Sequence, residues 1–299
     1  MHSLSILKYP RTPHVEGSRL QPGDDASDQV ALKTLAGCHV VIEEKLDGAN
    51  TGVSFSGAAE LLLQSRGHYL TGGGRERQFN LLKQWAVAHE ARLLETLEDR
   101  YVMYGEWTYS KHSVFYDCLP HHFHEFDIYD RRDDCFLSTP RRHALLAGVP
   151  VLPVPVLYAG PMPPRPALLW QLVRTSLAKS RHWRDGFAQT VAREGLPAAL
   201  CWQQTDTSDR AEGLYIKVED EGRVLARYKL VRPDFVQTIL DSGSHHQRRP
   251  ILPNGLAAGV DLFAPMLTMT WADLGLRTLE GLDALRAQAD AAGKSGRAA

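Results

Sequence analysis

The chain has 299 residues, 43% of them hydrophobic and 23% charged, and a formal net charge of -1. Such values fit a soluble globular protein built as one large domain, or a large domain with a small appendage, and exclude a uniformly basic surface. Any polyanion would have to meet basic residues gathered on one face.

Nothing at Met1-His2-Ser3 resembles the apolar core of a signal peptide. Residues 1–36, rich in Pro, Gly, Ser and Asp, read as an irregular lead-in belonging to the main domain, which is expected over 37–234. Short strands are predicted at 39–45, 51–56 and 60–65, with Gly48 and Gly57 marking turns. After the glycine-rich loop 71–75, helical spacing joins Phe79, Leu82, Trp85 and Ala86, then Leu93, Leu94 and Leu97. Strands return at 101–107, 123–129 and near 136–137. Ser138-Thr139-Pro140 then caps a helix that runs through Leu146. The longest apolar run, 144–160, is broken by Pro150, Pro153 and Pro155 and falls short of the about 20 residues of a membrane span. A Pro-rich stretch over 150–166 leads to helices predicted at 167–179 and 183–194, and strands 213–219 and 224–230 form a hairpin across Asp220-Glu221-Gly222. Residues 235–299 are expected to be a small C-terminal region with a flexible tail. The whole is α+β, with antiparallel sheet dominating. Four dispersed cysteines (Cys38, Cys118, Cys135, Cys201) offer neither zinc spacing nor a disulfide framework, which points to reduced thiols and a cytoplasmic protein.

Chemistry concentrates where the first strand ends, in Glu43-Glu44-Lys45-Leu46-Asp47-Gly48-Ala49-Asn50. A lysine delivered by a strand end beside a permissive glycine can work on a phosphate, and a charged hairpin turn explains the same string equally well. Five further segments put a charged or aromatic residue on a strand or at its end. They are Ser65-Arg66; Tyr104-Gly105-Glu106-Trp107; Phe126-Asp127-Ile128; Glu212-Gly213-Leu214-Tyr215-Ile216-Lys217; and Arg227-Tyr228-Lys229.

In this order the six segments resemble the nucleotidyltransferase motifs of the covalent ligase and capping-enzyme superfamily, over roughly residues 39–231. Asn50 stands where DNA ligases and capping enzymes usually carry arginine, and so resembles the RNA ligase 2 type of the phage and the trypanosome editing ligases. The resemblance implies an ATP-grasp-like adenylyltransferase domain of antiparallel sheets flanked by helices. It also implies an ATP-dependent RNA ligase that uses Mg2+ or Mn2+ to seal 5′-phosphate and 3′-hydroxyl ends in RNA repair. Lys45 would attack the α-phosphorus of ATP, and presenting an ordinary lysine as the neutral amine at pH 7 costs roughly 4–5 kcal/mol. Cations nearby would reduce that cost, and the two acids beside Lys45 should point elsewhere. By the same resemblance Glu44 meets adenine, and Phe126 stacks on it. Arg66 holds ribose or the 5′-phosphate strand, and Glu106 holds the ribose hydroxyls or a metal-bound water. Glu212 organises the metal, mostly through water, while Lys217 and Lys229 neutralise the α-phosphate. Asn50 acts near the activated 5′-phosphate. The family usually reads Lys-x-Lys where this chain has Arg227-Tyr228-Lys229, which leaves Arg227 without an assigned role.

The enzymatic alternative is a DNA ligase or capping-type nucleotidyltransferase. Both normally append a five-stranded oligonucleotide-binding barrel, which the proline- and glycine-broken sequence after Arg232 does not resemble. A non-catalytic nucleic-acid-binding relative would have no need of Lys45. A monomer is expected, with a separate kinase or phosphatase preparing the RNA ends. His121, His122 and His124 read as a solvated loop rather than a metal site, because adjacent histidines on an extended segment face opposite ways. Lys111 and His112, and the cluster His245-His246-Gln247-Arg248-Arg249, are candidates for contact with nucleic acid.

Overall fold

The computed structural model describes residues 6–20, 24, 29–235 and 250–276. Ten strands form one sheet: β1 His39–Lys45, β2 Ala49–Phe55, β3 Leu61–Ser65, β4 Tyr101–Trp107, β5 Phe123–Asp130, β6 Cys135–Leu137, β7 Leu152–Pro153, β8 Val156–Pro161, β9 Gly213–Glu219 and β10 Arg223–Val231. Six α-helices accompany them: α1 Asn80–Ala88, α2 Glu90–Leu97, α3 Thr139–Leu145, α4 Pro166–Leu172, α5 Trp183–Arg193 and α6 Ala198–Gln203. The strand order is β3-β2-β4-β5-β6-β10-β9-β1-β8, with β7 alongside β5. Every pairing is antiparallel except β5 with β7.

The three-residue β6 joins two halves that carry separate cores. Behind β2, β4 and β5, the side chains of Val53, Phe55, Met103, Trp107, Phe123 and Ile128 pack on Leu82, Trp85, Leu93 and Leu97 of α1 and α2. Behind β1, β9 and β10, Val40, Ile42, Leu214, Ile216 and Leu230 pack on Leu168, Leu169 and Leu172 of α4. Strand alternation then sends the intervening residues of each half to the other face. On that face lie Glu43 and Lys45 of β1, Tyr215 and Lys217 of β9, and Arg227 and Lys229 of β10. They are cross-strand partners in the register Glu43↔Tyr215↔Lys229 and Val41↔Lys217↔Arg227.

Two expectations change. The helix over 167–179 stops at Leu172, and 173–182 is irregular. The Pro-rich stretch contains β7 and β8, and β8 is tolerated because it lies at the sheet edge, where proline removes no ladder bond. Residues 250–276, within the small C-terminal region, pack onto the main body. Leu252, Leu262 and Trp271 enter three of its cores, and the Trp271 indole donates to the Pro153 carbonyl at 2.8 Å. Among the described residues no helix is long and apolar enough to cross a membrane.

Candidate active site

Lys45 is the last residue of β1, and the turn after it is pinned from outside the sheet. Asp47 accepts the Ser113 and Val114 N–H groups at 2.6 and 2.7 Å, and its own N–H donates to the Tyr116 hydroxyl at 2.8 Å. The 108–119 loop is held in turn by Asn254, which accepts the Tyr116 N–H at 2.9 Å and donates to the Thr108 carbonyl at 2.7 Å. Gly48 is required by close approach: a Cβ there would lie 2.6 Å from the Trp107 carbonyl oxygen.

A cavity of about 610 Å³ opens over the Lys45 end of the sheet. Lys45, Glu44, Asn50, Arg66, Glu106, Phe126, Glu212 and Lys229 all line it, so the fold gathers eight of the nine expected residues around one space. Leu46, Val154 and Val231 add apolar wall, while Lys8, Tyr9, Arg11, Thr12 and Asp24 arrive from the N-terminal segment. The lead-in owes its place to main-chain bonds. Val15 donates to the Lys229 carbonyl, and Lys229 donates to the Pro13 carbonyl, laying residues 13–15 along β10.

The lysine ammonium sits 2.8 Å from Glu212 Oε2, with a quarter of its side chain exposed to the cavity. Burial works against its charge, but the carboxylates of Glu212 and Glu106 outweigh burial and hold its pKa above that of an ordinary lysine. Both carboxyls are themselves pushed up to about 7 by burial, with Lys45 opposing. As expected, the two acids preceding Lys45 are engaged with other partners. Glu43 is paired with Arg142 and Lys217, and Glu44 accepts the Ser176 hydroxyl at 2.5 Å. Lys229 lies 3.8 Å from Asp24, and its pKa is lowered by burial and by Lys45.

Lys217 departs from expectation and does not line the cavity. It is fully buried between Glu43 at 2.9 Å and Asp127 at 3.1 Å, and it donates to the Phe126 carbonyl. Around it lies a charge network, with Arg142 bridging Glu43 at 2.5 Å and Glu125 at 2.7 Å. Arg227 stands 3.6 Å from Asp127, with its guanidinium 3.7 Å from the Phe136 ring centre and 5.0 Å from that of Tyr9. Three acids and three bases thus tie β1, β9 and β10 to β5 beneath the cavity. A planar cation that stacks between rings accounts for arginine at 227, where a lysine could not lie flat. Sequence reasoning missed Arg142, because an arginine inside a capped helix carries no mark of burial. It also missed Tyr9, whose hydroxyl donates to Asp127 at 2.5 Å.

The histidines are likewise not solvated. His121, His122 and His124 are 3%, 3% and 0% exposed, packed on Trp85, on Trp107 and Tyr109, and on Trp271 respectively. The strand they enter is central in its half and covered on both faces, which the alternation argument did not foresee. No group of three or more His, Cys, Asp or Glu side chains is placed to hold a metal ion among the described residues. Lys111 turns inward and donates to the Gln204 carbonyl at 2.5 Å. The 245–249 cluster lies outside the described residues.

Residues 38–231, about two-thirds of the chain, match the RNA ligase family. The chain belongs to the RNA ligase family. Among solved structures it is similar to an RNA ligase from Naegleria gruberi. A variant of that ligase with ATP and manganese is 17% identical over 67% of this chain and 52% of the other, with a TM-score of 0.43. A second variant with ATP and manganese is 18% identical over 68% and 52%, with a TM-score of 0.45. One with AMP and manganese is 17% identical over 67% and 52%, with a TM-score of 0.43. The chain spans about half the length of these ligases. No curated protein matches it.

Proposed function

We infer that this RNA ligase family member is an ATP-dependent enzyme of the RNA ligase 2 type that joins 5′-phosphate and 3′-hydroxyl RNA ends. The observation that carries the reading is the convergence of Lys45, Glu212, Glu106 and Lys229 on one cavity whose wall also offers Phe126 and an apolar slot. Asn50 in that cavity supports the RNA branch over DNA ligases and capping enzymes.

The residues also fit a divalent cation. Glu212 Oε1 and Asn50 Oδ1 are buried with no hydrogen-bond partner among the described residues, and carboxylate oxygens suit hard ions. Glu212 and Glu106 would hold Mg2+ or Mn2+, which supplies positive charge to the α-phosphate and to those two carboxylates. Without that charge Glu212 and Glu106 keep the proton on Lys45. With their charge engaged in that way, the ammonium would lose its two strongest partners and keep only the weaker pull of Asp47, which would make the neutral amine more accessible. The neutral Lys45 nitrogen then bonds to the α-phosphorus of ATP, the bond to the bridging oxygen breaks so that pyrophosphate leaves with its electron pair, and the surplus proton on the nitrogen passes to solvent in the open cavity. Lys229 and Arg66, with Lys8 and Arg11 on the rim, balance phosphate charge. AMP passes from Lys45 to the RNA 5′-phosphate, and a 3′-hydroxyl then displaces AMP to seal the strand.

Labelled ATP with Mg2+ tests the reading. Covalent label is expected on the wild type and lost in Lys45→Ala, with RNA nicks sealed only by the former. Label from GTP alone would favour a capping-type enzyme, and absence of label from either nucleotide would overturn the reading. In a cell, a separate kinase or phosphatase would prepare the ends that a cytoplasmic, monomeric ligase seals.

A further inference from the structure

Glu44 is one residue out of step with Lys45 on β1, and its carboxylate turns toward the segment between α4 and α5. There Ser176 Oγ donates to Glu44 Oε1 at 2.5 Å, and the Leu177 N–H donates to the same carboxylate. The donors are themselves fixed. Ser176 is 1% exposed, its N–H donates to the Asp209 carbonyl at 3.1 Å, and Thr175 bridges to Arg210, two residues before Glu212. Glu44 nevertheless lines the cavity, whose wall also includes Leu46, Phe126, Val154 and Val231. A carboxylate among apolar side chains is placed to read the edge of a flat heterocycle.

Purine edges differ in the sense of their hydrogen bonds. Adenine presents its N6 amine as donor beside the N1 acceptor, and guanine presents its O6 acceptor beside the N1–H donor. An ionised carboxylate can only accept, so it pairs with the adenine amine and meets the guanine carbonyl lone pair to lone pair. A protonated carboxyl can donate to that carbonyl and loses the distinction. Resting on the ATP-dependent reaction inferred above, we propose that Ser176 is the positioning residue for base selection. Its hydroxyl fixes Glu44 as an acceptor for the adenine amine, so that adenine nucleotides are taken and guanine nucleotides refused.

The balance at Glu44 is close. Burial pushes its carboxyl up to about 7 even though Ser176, Leu177 and the nearby Lys179 oppose the rise. The other ionisable groups around it are Tyr116 from the 108–119 loop and its strand neighbours Glu43 and Lys45. Tyr116 is held neutral far above pH 7 by burial, and the neighbours are engaged with Arg142, Lys217 and Glu212. Lys179 is pushed down to about 8 by burial and keeps its charge below that pH, so pH 6–8 is the diagnostic window. Losing one hydrogen bond to a charged group is worth about tenfold or more.

The test is covalent labelling from α-labelled ATP and GTP between pH 6 and 8 in the full chain. In the wild type the ATP preference should weaken as the pH falls, because Glu44 gains a proton. Ser176→Ala should lose at least about tenfold in ATP-over-GTP preference at pH 7 and regain part of it at pH 8. Ser176→Thr, which keeps the hydroxyl, should retain the wild-type ratio and profile. A wild-type ratio in Ser176→Ala throughout this range overturns the inference alone. If Ser176→Ala does not fold, the wild-type profile and Ser176→Thr decide, and a preference flat with pH overturns it. A wild type that labels from neither nucleotide overturns the ligase reading and this inference with it.

Discussion

Replacing Lys217 with methionine separates a phosphate-binding lysine from a structural one. In the wild type its ammonium lies 2.9 Å from Glu43 and 3.1 Å from Asp127, with all three side chains fully buried. Lys217→Met leaves Glu43, Glu125 and Asp127 facing only Arg142 and Arg227. Removing one partner from such a network costs about 3–5 kcal/mol, because a buried carboxylate is left uncompensated. At about 2–4 °C per kcal/mol for a chain of this size, melting should fall by roughly 6–20 °C. The loss should depend on pH in a definite sense. In the wild type Lys217, with Arg142 and Arg227, holds the Asp127 carboxyl below its usual range against burial, so Asp127 contributes stability above its unfolded pKa and loses it only in acid. In Lys217→Met that depression weakens and burial raises the Asp127 carboxyl. The variant therefore loses stability as the pH rises toward the raised Asp127 value, and the gap to wild type is wider at pH 8 than at pH 5. Thermal melts of both proteins across that range are the assay. A Lys217→Met protein that melts with the wild type at pH 7.5 yet takes no label from ATP would refute the argument and return Lys217 to the α-phosphate.

Gly48→Ala should cut Lys45 labelling by more than about tenfold while the melt falls only modestly. The added Cβ, 2.6 Å from the Trp107 carbonyl, must part the start of β2 from β4 and displace the turn after Lys45; rapid-quench labelling with ATP reads the effect. Labelling should rise with pH from 6 to 9. Glu106 and Glu212 shed their protons near 7 and become free to take a divalent ion, and higher pH also favours the neutral Lys45 amine. Below pH 7 the Mg2+ needed for half-maximal labelling should climb by about tenfold per unit for each carboxylate that must deprotonate, and a requirement independent of pH would count against these ligands. The buried histidines should make the fold acid-sensitive. Burial lowers His121 to about 4 and His122 to about 3, so the unfolded chain binds more protons below 6.5 and stability falls with pH. Each should contribute about 2 kcal/mol of loss at pH 5 relative to pH 7.5 in urea titrations, and His122→Phe should recover part of it.

The residues legible in the sequence are those whose role sits within a few positions of a strand end. Lys45, Glu106, Phe126, Glu212 and Lys229 each lie on or beside a strand that its own alternation or turn residues announce, and the sheet brings them together at one cavity. Lys217 was misplaced by the same local logic. On β9 it shares a face with Tyr215, which does line the cavity, but it sits two residues further from the open end, where the face closes over Arg142 of α3. Only the packing of α3 against β1 and β5 decides between phosphate and carboxylate as its partner, and no short-range pattern encodes that contact. The N-terminal segment was opaque for a related reason. Tyr9, Arg11 and Asp24 come from irregular backbone with no period to read, and they gain their place from bonds to β10 formed about 200 residues later. Ser176 is the extreme case, a serine after a helix end whose hydroxyl meets Glu44 across 132 positions of sequence. Chemistry carried by motif residues can therefore be read from the chain. The ionisation of Glu44 is set by burial and by Ser176, which no motif contains, whereas Lys45, Glu106 and Glu212 act on one another across three motifs that only the fold brings together.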